Sequence, residues 1–299
     1  MAHERLTKCP LCKSGLFLNH AEVKDYAVSG EKFLLCQCTN CKLIFTNPRP
    51  KQEEISQYYQ SENYISHRNK ANNLTNLLYK TVRQYTLRQK VNWLNQYSSH
   101  KGNLLDIGCG TGYFLQKAKQ NGWKTEGIEP NSLARKTAKK KGLKIFSDLS
   151  KIKEENKYQA ITMFHVLEHI HDLRKTAKRV VSILEDEGTL LIAVPNYDSL
   201  DSKIYGEKWA GLDVPRHLYH FTKETMQVFA EKMGLYIAHT EPMKFDSYYV
   251  SLLSENYLKK DENKLQQLYK GFMTGLKSNQ WAKKNKANYS SILFILKKK

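Results

Sequence analysis

Residues 104–114 read LLDIGCGTGYF, and no other stretch constrains the fold of this chain as strongly. An apolar run ends in Asp106, glycines follow at alternate positions (Gly108, Gly110 and Gly112), and a helical pattern begins directly afterwards. This is the pattern of a strand, a tight turn and a helix N-terminus. Glycine reaches positive φ without strain and lets a ligand approach the backbone. The start of a helix offers free N–H groups and partial positive charge. The run TEGIE then ends in Glu129, where a second strand should stop. A carboxylate at that distance from the loop suits a pair of ribose hydroxyls.

A glycine-rich loop alone also occurs in dinucleotide-binding enzymes. Here the spacing of the glycines, with an acid two residues before the first, closely resembles the first motif of class I S-adenosylmethionine (SAM) methyltransferases. The segments YQAITMFHVLEHIHD (158–172) and GTLLIAVPN (188–196) agree with that resemblance, which runs from about residue 100 to 243. It implies an α/β fold: a Rossmann-like, seven-stranded sheet with helices on both faces. Patterning supports this, alternating strand and helix over 103–107, 111–121, 124–129, 131–141, 143–146, 159–164, 173–184 and 188–194. Such alternation gives a parallel sheet with crossover helices. A helix over 223–233 and a strand over 235–241 follow. The chain closes on the strand-like SSILFILKK. In the resembled family the last strand inserts antiparallel between the fifth and sixth. Residues 245–288 then become a helical insertion, with Tyr257, Leu265, Leu268 and Phe272 as its apolar positions.

Five of the six cysteines precede residue 42. Cys9 and Cys12 form C-P-L-C, Cys38 and Cys41 form C-T-N-C, and a predicted hairpin over about 16–35 separates the pairs. Paired C-x₂-C turns read as a zinc ribbon, and four thiolates leave a structural ion no open position. Cys36 lies on the same predicted strand face as Cys38 and competes for the site; the C-x₂-C turn favours Cys38. Cys109 belongs to the glycine loop. Directly after the knot comes LIFTNPRP (43–50). Together these motifs resemble the front end of a bacterial methyltransferase group tied to surface-polysaccharide and secondary metabolism. The chain divides into a zinc-ribbon-like module (1–47), a helical cover or linker (48–99) and a methyltransferase domain (100–299). In the cover, Leu74, Leu77, Leu78, Val82, Tyr85, Val91, Trp93 and Leu94 form an apolar stripe, and Tyr58, Tyr59 and Tyr64 are candidate lid aromatics.

The resemblance places the donor residue by residue. Asp106, Gly108, Cys109, Gly110 and Gly112 would pass beneath its methionine part, and Glu129 would take the ribose hydroxyls before Pro130 turns the chain away. Asp148 and Leu149 would cap the adenine, while Phe164 and His165 would face the sulfonium end. The product would be S-adenosylhomocysteine. A general base is needed only when the acceptor must lose a proton. Candidates lie in HVLEHIHD (165–172) and in KWAGLDVPRHLYHFT (208–222): His217 first, with His165 and Tyr219, and Arg216 for an anionic acceptor group. The second segment also reads as a structural turn with Thr222 as a helix cap. The segment also resembles the L-E-H segment of ubiquinone-pathway O-methyltransferases, which has an acid where this chain has His165; such acids can hold a divalent ion beside the acceptor, which opens that role to His165, Glu168 and His169.

The formal net charge of +19 comes mostly from lysine, with nine arginines among 48 basic residues. Arginine is the residue preferred for bidentate phosphate recognition. The resemblance to the surface-polysaccharide and secondary-metabolism group makes a small-molecule or glycan acceptor (a nucleotide-sugar, a lipid-linked sugar or a related metabolite) the first expectation. An RNA base methyltransferase, or a SAM-binding sensor without turnover, is the alternative. No apolar run reaches the ~18–20 residues of a membrane span, and the first residues lack a secretory signal, so a cytoplasmic protein is expected. Oligomeric state is left open. Replacing Glu129 by Ala should weaken SAM binding at least about tenfold, ~1.4 kcal/mol. Unchanged affinity by titration calorimetry refutes the ribose assignment.

Overall fold

The computed structural model describes residues 3–59, 73–258 and 263–299, with side chains described from residue 81 in the first long helix. Tyr64, and the side chains of Leu74, Leu77 and Leu78, lie outside the described residues. In chain order the strands are β1 (His3–Glu4), β2 (Phe17–Lys24), β3 (Lys32–Cys38), β4 (Ile44–Thr46), β5 (Arg49–Pro50), β6 (Asn103–Ile107), β7 (Lys124–Ile128), β8 (Lys144–Phe146), β9 (Tyr158–Phe164), β10 (Leu184–Pro195), β11 (Tyr219–His220), β12 (Leu235–Pro242) and β13 (Ser291–Lys298). The α-helices are α1 (Asn73–Tyr97), α2 (Tyr113–Gln120), α3 (Ser132–Lys140), α4 (Leu173–Ile183), α5 (Leu200–Tyr205), α6 (Lys223–Lys232), α7 (Lys244–Leu258) and α8 (Lys264–Lys284).

The central sheet has seven strands in the order β12-β13-β10-β9-β6-β7-β8. The run β10-β9-β6-β7-β8 is parallel, and β13 is antiparallel to both β10 and β12. The insertion of the last strand that the resemblance implies is therefore present. Ile292, Leu293, Phe294, Ile295 and Leu296 are all buried, as a central strand covered on both faces requires. Reversal of strand order between β6 and β9 leaves a crevice at the carboxyl ends of these strands, the usual ligand position in open α/β sheets.

The N-terminal part is knitted into this core rather than set beside it. Its sheet runs β11-β4-β3-β2, so one strand comes from the segment after β10. Tyr219 pairs with Phe45 and His220 with Ile44. β1 pairs with β5 in a separate two-stranded ribbon. The strongest tie is Arg216, 1% exposed. Its guanidinium contacts Asp25 Oδ1 at 2.9 Å and Asp213 Oδ1 at 2.7 Å and donates to the carbonyl of Tyr58 at 2.8 Å. This corrects the reading of Arg216 as an anion-binding residue for the acceptor: two acids and a carbonyl already occupy it in the interior. Thr222 is the N-cap of α6, as expected, with a reciprocal bond to Thr225.

The insertion 245–288 forms two antiparallel helices, α7 and α8, and most of its apolar positions face outward. Leu265, Leu268 and Phe272 are 73%, 53% and 52% exposed. Small residues pack inward instead: Ser247, Ser251 and Ser254 on α7, Gly271, Gly275 and Ser278 on α8. A Cβ at Gly271 or Gly275 would meet the backbone of Leu252 or Tyr248 within 3 Å. Backbone approach, not apolar side-chain volume, sets this contact. Among the described residues no helix is long and apolar enough to cross a membrane.

Removing one partner of a buried ion pair leaves an uncompensated charge and costs about 3–5 kcal/mol. Asp25→Asn should lower stability on that scale and make the N-terminal part sensitive to proteolysis. Denaturant unfolding with wild-type stability and an unchanged cleavage pattern would refute the role of the Arg216 bridge.

Candidate active site

Gly108, Gly110 and Gly112 adopt φ of +74°, +54° and +80°, so the loop between β6 and α2 depends on glycine. A Cβ at Gly108 would overlap Val166, and one at Gly112 would meet Leu143, whereas the space around Gly110 is open. Gly110 thus presents bare backbone to open space. Its N–H donates to Glu129 Oε2 at 2.8 Å, and Asn131 N–H donates to Oε1 at 2.8 Å. Each carboxylate oxygen keeps a further lone pair for a hydroxyl donor. Cys109 turns into the interior beneath the loop, against Leu115 and Ile145. Pro130 is exposed, and its carbonyl accepts from Arg135 at 2.8 Å. Asp148 caps the short turn Leu149–Lys151 and accepts from Ser147 and Ser150; Leu149 is half-buried beside it.

Asp106 is buried at the end of β6 and accepts from Thr162 Oγ1 at 2.7 Å. Burial pushes its carboxyl up to about 7, against the lowering effects of the Thr162 bond and the Lys90 charge. Lys90 was not foreseen. It reaches down from α1 and places Nζ 4.0 Å from the ring centre of Phe164, while burial lowers its pKa and Asp246 and Asp106 oppose that. A lysine in a long amphipathic pattern gives no sign of an inward position. The same holds for Asp246, which starts α7 more than eighty residues beyond β9.

His165 follows β9 with φ of +57°, a conformation that is strained for a non-glycine residue. Its Nε2 lies 2.9 Å from Asp246 Oδ2 and its Nδ1 3.4 Å from Glu168 Oε1. Burial disfavours its charge, but hydrogen bonding to Asp246 and the neighbouring carboxylates outweigh it and raise the pKa to about 9. His165 is thus a charged bridge at neutral pH, which corrects its expected role as a base. Tyr219 is also corrected as a catalytic residue. It is 1% exposed, and its hydroxyl donates to His171 O at 2.9 Å and accepts from Arg49 at 2.9 Å.

His217 stands beside Glu168 and His169. One ligand atom from each lies within 4.8 Å of the others. Leu218 N–H donates to the carbonyl of Glu168 at 2.8 Å, which ties the segment before β11 to the turn after β9. Burial pushes His169 down to about 4 and the nearby His220 to about 3, so both rings are neutral. Tyr59 reaches His169 Nδ1 at 3.1 Å. Parts of the cover, the N-terminal sheet, the segment 208–222 and α7 therefore converge on the carboxyl end of β9.

The four cysteines expected as ligands also come together. Cys9 and Cys41 sulfurs are 3.6 Å apart, Cys12 and Cys38 3.5 Å. Sulfurs about 2.3 Å from one tetrahedral ion would be about 3.8 Å apart, so this set fits zinc. Cys36 stands outside it, with its sulfur near Asn19 and the carbonyl of Asn47.

Residues 79–240 match a protein family described as a methyltransferase domain. Two curated relatives are ubiquinone biosynthesis O-methyltransferases. The one from Stutzerimonas stutzeri (strain A1501) is 26% identical over 45% of this chain and 63% of its own length. The one from Rhodopseudomonas palustris (strain BisB5) is 22% identical over 48% and 62%. The chain thus spans somewhat less than two thirds of these relatives. Among solved structures, magnesium protoporphyrin IX methyltransferase from Synechocystis PCC 6803 with bound S-adenosylhomocysteine superposes with a TM-score of 0.53, at 15% identity, over 83% of this chain and 100% of that one. A mycolic acid cyclopropane synthase complexed with the same compound gives 0.51, at 13% identity, over 72% and 85%. These likenesses establish the shared fold.

A carboxyl near 7 in the folded state binds its proton more tightly than in the unfolded chain, where the value is about 3.9. Its stabilising contribution is full below about pH 4 and is lost as pH rises towards 7. Asp106→Asn, which cannot ionise, should gain stability relative to wild type across that window in ligand-free protein. Parallel stability–pH profiles for the two proteins would overturn the assignment.

Proposed function

Since this chain belongs to the methyltransferase-domain family, we propose that it transfers a methyl group from SAM to a small molecule or glycan intermediate such as a nucleotide-sugar or lipid-linked sugar. The observation that carries this reading is the enclosure of the β9 carboxyl end by four separate parts of the chain. A wall built from His165–Asp246, Tyr59–His169 and the Glu168–Leu218 tie suits a compact acceptor better than a folded polymer.

When bound, SAM supplies both the methyl group and its leaving group, so positioning carries much of the acceleration. Gly110 and Glu129 would hold the ribose and methionine ends. Phe164, with Lys90 over its ring, would shield the reacting end from water. Where the acceptor is a hydroxyl, its proton falls to the lone pairs gathered at Glu168, His169 and His217, while the charged His165 keeps its place by its bond to Asp246. Zinc at Cys9, Cys12, Cys38 and Cys41 would be structural and would fix the sheet that β11 completes.

RNA is the second reading, and the arginines weigh against it. Arg49, Arg135, Arg174, Arg179 and Arg216 each donate to acceptors within the protein. That engages five of the nine groups best suited to phosphate, two of them, Arg49 and Arg216, in the interior. Incubation with methyl-labelled SAM and an extract of the source cells, with and without RNase, tests the reading. Label in small, RNase-resistant material is expected. Label confined to large, RNase-sensitive material overturns it in favour of RNA. SAM binding without any label transfer overturns it in favour of a sensor.

A further inference from the structure

The α7–α8 hairpin holds neither the cysteine cluster nor the glycine loop, yet its outer surface is sharply patterned. Leu265, Leu268, Tyr269 and Phe272 follow the i, i+3, i+4, i+7 spacing of one helix face, and all four are more than half exposed. Phe272 stacks on Tyr248 with ring centres 5.1 Å apart, which carries the apolar surface across to α7. It continues through Phe245, whose ring meets Tyr85 of α1 edge-on at 5.3 Å. Charge is equally one-sided. α8 holds five lysines, all exposed, and no acid. Lys270, Lys277 and Lys284 stand seven residues apart and so run along one border of the apolar stripe. α7 adds the exposed Lys244, and its two acids turn inward. Asp246 pairs with His165 at 2.9 Å, and Glu255 accepts from the Tyr205 hydroxyl at 2.8 Å.

We infer that this face docks on an anionic lipid bilayer and lies along its surface. A stripe of leucine and aromatic side chains bordered by lysine is the arrangement of helices that rest among lipid headgroups. Tyrosine suits that depth because its ring is apolar and its hydroxyl polar. Lysine suits it because the stem covers apolar surface while the ammonium reaches the phosphates. Two other occupants match the face less well. A second copy related by a two-fold axis presents the same patch, which sets the lysines of one α8 against those of the other. Nucleic acid would match the lysines and leave the leucines without an apolar partner. The position of the face bears on the acceptor. Phe245 precedes Asp246, the partner of His165, so the apolar surface reaches the rim of the crevice. Among the acceptors proposed above this selects the lipid-linked sugar, whose apolar tail stays in the bilayer while the sugar enters the crevice; that choice rests on the methyl-transfer reading.

Cosedimentation with vesicles tests the docking, with the full chain and no SAM. Wild-type protein should bind mixed phosphatidylglycerol–phosphatidylcholine vesicles, bind phosphatidylcholine alone far more weakly, and be released by high salt, which screens the charges. Lys277→Gln combined with Lys284→Gln should weaken binding about thirtyfold, from about fivefold for each lysine near an anionic surface. Leu268→Gln combined with Phe272→Gln should weaken it more than about tenfold, through lost apolar burial. All four positions are exposed, and an unchanged thermal midpoint reports an intact fold in each variant. No binding to the anionic vesicles, or full binding by both double variants, overturns the docking. Self-association through these side chains without vesicle binding overturns it in favour of a second copy, and capture of RNA without vesicle binding in favour of nucleic acid. In the labelling experiment above, the label should partition into chloroform–methanol. Vesicle binding with all label in the aqueous phase overturns the choice of acceptor and leaves methyl transfer standing. Vesicle binding with no label transfer overturns the transfer reading and leaves the docking standing.

Discussion

The guanidinium of Arg216, held between Asp25 and Asp213 in the interior, is the interaction on which the remainder of the architecture depends. Asp25 sits in the turn between β2 and β3, where its carboxylate also accepts from the backbone of Ala27, Val28 and Ser29. One side chain therefore closes a turn of the cysteine-bearing sheet and locks the segment that precedes β11. With that segment fixed, Leu218 can reach the carbonyl of Glu168, and His217 is brought beside His169. An ion pair taken out of water is poor at adding net stability and good at choosing one arrangement among several. Here the arrangement it chooses joins the N-terminal sheet to the crevice of the central one.

How much of this was legible in the sequence depended on how local each signal was. The loop at Gly108–Gly112 was readable because strand, turn and helix are contiguous and glycine has a definite backbone use. The cysteine pairs were readable because C-x₂-C is itself a local turn, and the knuckle turn favoured Cys38, which lies in the four-sulfur cluster while Cys36 stands outside it. The inserted last strand came from family resemblance and not from pattern. By contrast, β11 has two residues, too few for any alternation to appear. Arg216 looked like a free cation because its partner Asp25 lies 191 positions away. Lys90 and Asp246 were invisible for the same reason. In α7 and α8 the apolar residues Leu265, Leu268 and Phe272 gave no sign of the packed face, since serines and glycines permit a closer approach than leucines do.

The crevice itself shows a division of labour between charged and neutral groups. His165 is held positive by Asp246 and Glu168, while His169 and His220 are kept neutral by burial. Three imidazoles within one neighbourhood thus differ in protonation at the same pH, and environment alone separates them. The strained backbone of His165 fits this picture: the surrounding contacts over-determine its position, as they must to hold an unfavourable φ.

The position of β13 has a consequence for how the molecule is made. It lies between β10 and β12, yet it follows both in the chain, with the α7–α8 hairpin in between. During synthesis the two flanking strands emerge with facing edges unpaired, and unpaired edges invite association with other chains. The central sheet is therefore completed late, by a strand whose partners have waited for it. Nascent chains halted within the hairpin would carry the whole glycine loop and an open seam together, the kind of species that chaperones retain.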